Sequence, residues 1–136
     1  MTPVHEPLDA AALQAMGVLN LAHVGDAVYE LLVRTHLSRL GAQTIAEQHK
    51  RTIAYVSAPA QAAAAERILP ALTEREHAVF RRGRNARVHG TPAGCTVAQY
   101  HAATALEALF GWLWLSGQPQ RCETLFAMIL EDKDAS

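Results

Sequence analysis

The helical pattern at residues 21–33, LAHVGDAVYELLV, contains the residue pair that most constrains the fold of this chain. Apolar residues recur there at helical spacing, at positions 21, 24, 28, 31 and 32. Gly25 and Asp26 interrupt this face, although Gly in a helix interior costs about 1 kcal/mol relative to Ala and an unpaired buried carboxylate costs roughly several kcal/mol. This pair indicates a site at which another backbone approaches Gly25 closely and meets Asp26. The alternative is a half-exposed helix in which Asp26 faces water.

Composition and capping signals predict an all-α fold. The 136 residues suffice for one domain with its own core, and we expect a single domain over residues 1–136. Half of the residues are apolar and only eight are aromatic, which favours helices over strands. Start signals predict about seven helices, at Asp9, Asn20, Thr44, Ser57, Thr73, Thr96 and Pro119. The second helix should end near Leu40 and the last near Glu131.

Glu107 is the second anomaly in the sequence. It lies within the run 102–115, which is apolar nearly all round and is therefore expected to form a buried helix. Glu107 shares one small, polar face with Tyr100, Thr104 and Gly111, and such a face suits close packing of a second helix. If that helix is the one with Asp26, the two carboxylates form an oxygen site of the kind that Mg²⁺ prefers. The alternative is a structural ion pair between Glu107 and an arginine such as Arg34.

A cluster of basic residues lies at the end of the fifth predicted helix, which runs into Arg81, Arg82 and Arg84. Four arginines and one asparagine occur within seven residues, namely Arg81, Arg82, Arg84, Asn85 and Arg87, just before the Gly/Pro-containing loop 88–95. Arginine near a helix C-terminus can simply complement the helix dipole. That explains one or two arginines better than four, so we interpret the cluster as a mobile basic finger that binds phosphates.

Charge and cysteine content restrict the possible partners and compartment. The net charge is −1, so any contact with nucleic acid must come from a local basic patch. The two cysteines have no metal-ligand spacing and predict a reduced, cytoplasmic chain. The sequence has no signal peptide and no apolar run long enough to span a membrane. We therefore expect a cytoplasmic protein without a membrane partner.

Four blocks of this sequence resemble ribonuclease III in the form called Mini-ribonuclease III. They are LAHVGDAVYELLVR, VSAPAQA, RRGRNA and the segment from Tyr100 to Leu115, and they occur in the family's order over nearly the whole chain. The resemblance implies an all-α, ribonuclease III-like endonuclease domain that forms a homodimer and cleaves double-stranded RNA with Mg²⁺. It also implies maturation of the 23S ribosomal RNA precursor as the biological role. Asp26 and Glu107 match the family's catalytic, metal-binding acids.

Two positions depart from the longer ribonuclease III enzymes. Ala22 stands where those enzymes carry Glu, and Thr104 stands where they usually carry Asp. Both changes are in keeping with the Mini form, but they remove two potential metal ligands. No double-stranded-RNA-binding domain follows the last predicted helix, so the RNA should be held by the catalytic domain itself.

Two other functions remain as alternatives. One is a catalytically silent RNA-binding or ribosome-associated protein of the same fold, against which the presence of both acids argues. The other is an unrelated helical interaction domain, against which the four matched blocks argue. For the homodimer, the apolar surplus around Phe110, Trp112 and Trp114 is consistent with a surface covered by a partner, although core packing explains most of it.

Overall fold

The computed structural model of the chain describes residues 2–41 and 43–134, with side chains described up to residue 131. Within these residues there are seven α-helices, one short 3-10 helix and no strand. The helices are α1 (Ala10–Ala15), α2 (Val18–Arg39), α3 (Ile45–Val56), α4 (Ala58–Ile68), α5 (Glu74–Arg84), α6 (Val97–Leu115) and α7 (Pro119–Asp134), and the 3-10 helix is Leu69–Ala71. The all-α prediction is confirmed.

Most helix starts follow the predicted caps, and α2 is the exception. Thr73 and Thr96 each form a complete capping box, and the Thr44 side chain accepts a hydrogen bond from the Glu47 backbone at 3.1 Å. The prediction that Asn20 caps α2 is wrong, because Gly17 is the cap and the Asn20 N–H already bonds to the Gly17 carbonyl at 3.0 Å. The last helix also extends beyond Glu131 to Asp134.

Helix α6 is the centre of the fold. It contacts α2, α4, α5 and α7, and nine of its residues are buried. Phe110 of α6 packs edge-to-face against Tyr29 of α2, with ring centroids 5.2 Å apart. Phe110 is fully buried within the protomer, so it cannot contribute to a surface covered by a partner, whereas Trp114 is 39% exposed. The prediction that the apolar run containing Glu107 is a buried helix is confirmed.

Two glycines allow α2 and α6 to cross with their backbones in contact. A Cβ atom placed on Gly25 would lie 1.5 Å from the Glu107 carbonyl oxygen, and one placed on Gly111 would lie 1.9 Å from the Leu21 carbonyl oxygen. Neither gap can hold a methyl group, because the nearest atoms belong to backbone rather than to a flexible side chain. The close approach predicted at Gly25 is therefore confirmed, and it fixes where the neighbouring carboxylates lie.

The described helices do not include a membrane span. None of those in residues 2–41 and 43–134 is both long and apolar enough to cross a bilayer. Both cysteines are free thiols, and Cys122 is buried beneath α6 while Cys95 lies in the loop before it.

Candidate active site

The crossing of α2 and α6 brings Asp26 and Glu107 together. Asp26 follows the glycine that contacts the Glu107 backbone, and the two carboxyl groups are close enough to share a hydrogen bond. The Asp26 side chain is exposed and that of Glu107 is partly buried. Asp26 thus faces solvent, as the alternative interpretation of its helix proposed, but it does so beside a second carboxylate.

This arrangement raises the pKa of Glu107 from 4.5 to about 8. Burial of the carboxyl group is the largest cause, since removal from water disfavours the charged form. The negative charge of Asp26 and a hydrogen bond with Asp26 raise the pKa further, and a hydrogen bond from the Gln61 side chain opposes them. Without a counter-charge, two carboxylates held this close cannot both ionise easily near neutral pH.

The alternative in which Glu107 pairs with Arg34 is wrong. Arg34 instead forms an i, i+4 ion pair with Glu30 on α2, at 2.8 Å, and both side chains are more than a third exposed. The one partly buried ion pair among the described side chains joins Arg121 of α7 to Glu76 of α5, at 2.9 Å. Glu107 therefore meets a second acid, not an arginine, and this is the unusual electrostatic feature of the fold.

Ala22 and Thr104 line the same crossing without adding ligands. Ala22 is buried in a small cluster with Leu13 and Ala108. Thr104 is also buried, and its hydroxyl donates to the Tyr100 carbonyl at 3.0 Å within α6. Among the side chains that the structure describes, no group of three or more His, Cys, Asp and Glu residues is arranged to hold a metal ion. The site is thus a pair of carboxylates.

The basic cluster lies at the end of α5, which packs on α6 at Thr104, Ala105 and Ala108. Gly83 packs so tightly on α6 that a Cβ there would lie 2.8 Å from Ala105 Cα. Arg81, Arg84 and Arg87 are exposed, but Arg82 is partly buried and donates a hydrogen bond to the Met16 carbonyl at the end of α1. Arg81, Arg82 and Arg84 belong to α5, as predicted, and Arg87 follows the helix, so most of the cluster forms a basic helix end.

Sequence reasoning did not single out Gln61. This residue of α4 is only 2% exposed, and its Nε2 donates to the Val56 carbonyl at 3.0 Å. It lines a groove of about 350 Å³, which runs between the start of α4 and residues 92–95 and reaches Glu107. The sequence does contain a pattern that could have identified Gln61, because this residue lies at helical spacing from the apolar residues Ala64, Ala65 and Ile68 on the buried face of α4. A polar residue on an otherwise apolar stripe usually has a specific partner.

Comparisons with known proteins agree with this geometry. The ribonuclease III domain family matches residues 19–118. The chain is 48% identical to the Mini-ribonuclease 3 of Symbiobacterium thermophilum over 103 residues, covering 76% of this chain and 79% of the relative. It is 38% identical to the Mini-ribonuclease 3 of a Thermoanaerobacter species over 126 residues, covering 93% and 89%.

A solved structure shares the fold. The crystal structure of a Fusobacterium nucleatum protein superimposes with a TM-score of 0.81 at 28% identity, covering 89% of this chain and 97% of that one. The family match spans both helices that carry the paired carboxylates, and also the basic end of α5. This chain therefore belongs to the ribonuclease III family, as an endoribonuclease of double-stranded RNA.

Proposed function

We propose that Asp26 and Glu107 hold Mg²⁺ and that this chain uses the site to cleave duplex regions of the 23S ribosomal RNA precursor in the cytoplasm. The observation that carries the proposal is the carboxylate pair at the α2–α6 crossing, where the pKa of Glu107 is raised to about 8 by burial and by Asp26. A cation between the two carboxylates would remove their repulsion. Ribonuclease III enzymes generally depend on divalent metals.

The donor set fits a hydrated hard cation. Mg²⁺ commonly takes one or two carboxylates from a protein and keeps several water molecules. Asp26 is exposed, so its carboxylate can reach a cation that arrives from solvent with most of its water shell. Ala22 and Thr104 supply no further carboxylate, which favours a site that holds the cation through two protein ligands and water.

The remaining residues of the site act on the RNA. Mg²⁺ held by Asp26 and Glu107 would supply an activated water and would stabilise the negative charge that develops during phosphodiester hydrolysis. Arg81, Arg84 and Arg87 are exposed at the end of α5, and so is Asn85, so these side chains can bind phosphates of the RNA. Arg82 is less available to RNA, because its guanidinium group donates a hydrogen bond to the Met16 carbonyl at the end of α1.

We also propose that the protein acts as a homodimer, as ribonuclease III enzymes typically do. A symmetric dimer uses the same surface of both copies and places two sites on the two strands of a duplex. The surface that we assign to it lies on α2 and α3, where Leu31 is 59% exposed and Ile53 is 50% exposed. Helices α2 and α3 contact each other, so a partner that covers both would remove these apolar side chains from water.

Replacement of Asp26 by Asn tests the site directly. The amide is nearly isosteric but lacks the charge that favours a divalent cation, so cleavage of duplex RNA in Mg²⁺ should be abolished while circular dichroism and duplex binding remain near wild type. Glu30→Gln is the matched control, because it also converts an acid of α2 into its amide, at a side chain that is paired with Arg34 and not with Glu107. Cleavage by the Asp26→Asn protein at the wild-type rate would refute the assignment of the site.

The substrate is tested separately. A duplex with the sequence of the 23S precursor ends and a duplex of the same length and unrelated sequence should both be cut in Mg²⁺ and spared in chelator, with defined cleavage positions in the precursor alone. Equal, scattered cleavage of both would refute the proposed precursor specificity but leave the carboxylate site standing.

A further inference from the structure

The side-chain amide of Gln61 connects three helices at the carboxylate pair. Gln61 lies in the first turns of α4, and its Nε2 donates one hydrogen to the Val56 carbonyl at the end of α3. The Gln61 and Glu107 side chains line the same groove and share a hydrogen bond. An ionised carboxylate has no hydrogen to give, so the amide is the donor and the carboxylate the acceptor. Nε2 has two hydrogens, so it can make both bonds.

The burial of Gln61 makes its amide costly unless the amide is hydrogen-bonded. The side chain is 2% exposed, and its Oε1 is buried without a hydrogen-bond partner among the described residues. An orphaned buried acceptor is costly, and an apolar side chain of similar length would avoid that cost. The neighbours of Gln61 on the buried stripe of α4 are Ala64, Ala65 and Ile68, all apolar. The amide on this otherwise apolar stripe is explained by the two acceptors to which Nε2 can donate, the Val56 carbonyl and the Glu107 carboxylate.

The geometry also limits which other groups can orient Glu107. Asp26 reaches it from α2 as a second acid, so it repels the ionised form and cannot hold it by donating a hydrogen bond when both are charged. Thr104, one turn earlier on α6, uses its hydroxyl hydrogen on the Tyr100 carbonyl. Gln61 is the donor from a neighbouring helix that the structure brings to this carboxylate.

We propose that Gln61 is a positioning residue, which holds the Glu107 carboxylate in the orientation that binds the divalent cation. The inference rests on the proposed metal site at Asp26 and Glu107. The bond to Val56 fixes the amide relative to the α3–α4 junction, and the second hydrogen of Nε2 then restricts rotation of the Glu107 carboxylate. Hydrogen bonds that orient a carboxylate ligand commonly change metal affinity about 10- to 100-fold when removed.

The test uses Gln61→Met, which has a similar length and removes the donor without adding charge. Mn²⁺ is titrated into the RNA-free protein by calorimetry, and its dissociation constant should rise about tenfold. The Mg²⁺ concentration that gives half-maximal cleavage should rise in parallel, so that excess Mg²⁺ recovers most of the maximal rate. The matched control is Ala64→Gly, which weakens the same buried face of α4 without touching Glu107 and should leave Mn²⁺ affinity unchanged.

The possible results separate this inference from the proposed function. Wild-type Mn²⁺ affinity in the Gln61→Met protein, or an equal loss in the Ala64→Gly protein, would overturn the positioning role. If Gln61→Met does not fold, Gln61→Asn takes its place with the same expected loss, because the shorter amide cannot reach both Val56 and Glu107. Wild-type Mn²⁺ binding that survives Asp26→Asn would overturn the metal site itself, and this inference with it.

Discussion

Replacement of Glu107 by Gln should flatten the pH dependence of stability of the metal-free protein. The pKa of Glu107 is raised from 4.5 to about 8, chiefly by burial and then by Asp26, so the folded state binds the proton more tightly than the unfolded state does. The resulting stabilisation is complete below pH 4.5 and is lost as the pH rises through the folded pKa near 8. The free energy of unfolding of the wild type should therefore fall across this window, and that of the Glu107→Gln protein should fall much less.

The size of the effect follows from the two pKa values. At about 1.4 kcal/mol per pH unit, the interval from 4.5 to about 8 corresponds to an upper limit of about 5 kcal/mol. Glu107 is partly exposed, so water and small movements of α6 relieve part of this. A fall of about 2 to 3 kcal/mol would remain a large fraction of the stability of a domain of this size.

Urea unfolding in the presence of chelator, at pH 5, 6, 7 and 8, measures this loss. Glu30→Gln is the control, since it removes an acid of α2 that is paired with Arg34 and not with another carboxylate. Mg²⁺ added at pH 8 should restore stability to the wild type but not to the Glu107→Gln protein, because a ligand that binds only the folded state stabilises it. Parallel pH profiles for the wild type and Glu107→Gln would refute the raised pKa of Glu107 in the folded state.

Three further predictions concern the crossing, the basic helix end and the dimer. Gly25→Ala should lower the free energy of unfolding by about 3 kcal/mol, because the new Cβ would lie 1.5 Å from a backbone oxygen of α6, whereas Gly17→Ala should cost about 1 kcal/mol or less in the same urea assay. Replacement of Arg81 and Arg84 by Ala should flatten the slope of log affinity for duplex RNA against log salt by about 2, if each neutralises one phosphate, and an unchanged slope would contradict phosphate binding. Leu31→Arg should convert the dimer into a monomer by light scattering at micromolar concentration, and a retained dimer mass would place the interface elsewhere.

The sequence predicted those features of the site that depend on local rules. Gly25 beside Asp26, and Glu107 one turn before Gly111, each broke the pattern of an apolar helix, and each break marked the point at which two helices meet. Capping boxes at Thr73 and Thr96 located the helices that carry the basic cluster and Glu107. Periodicity and capping act within a few residues, so they can be interpreted without knowledge of the fold.

Features that depend on distant partners were not predictable in this way. Arg82 turns towards α1 because the end of that helix presents the Met16 carbonyl, a contact across 66 positions of sequence. Gln61 acts through Glu107, which lies on another helix far along the chain. The identity of such a partner depends on how the helices pack, and a sequence pattern on one helix contains no information about it.

The crossing supplies the site with only two carboxylates. The backbones of α2 and α6 touch at the two glycines, and Asp26 follows Gly25 directly. Ala22 is buried against Leu13 and Ala108, so a longer acid at position 22 would need space that these side chains fill in this chain. The crossing therefore places Asp26 beside Glu107, and position 22 adds no further carboxylate. Because the site has only two carboxylates, the orientation of each one matters more. The proposed role of the Gln61 amide is to set the orientation of Glu107.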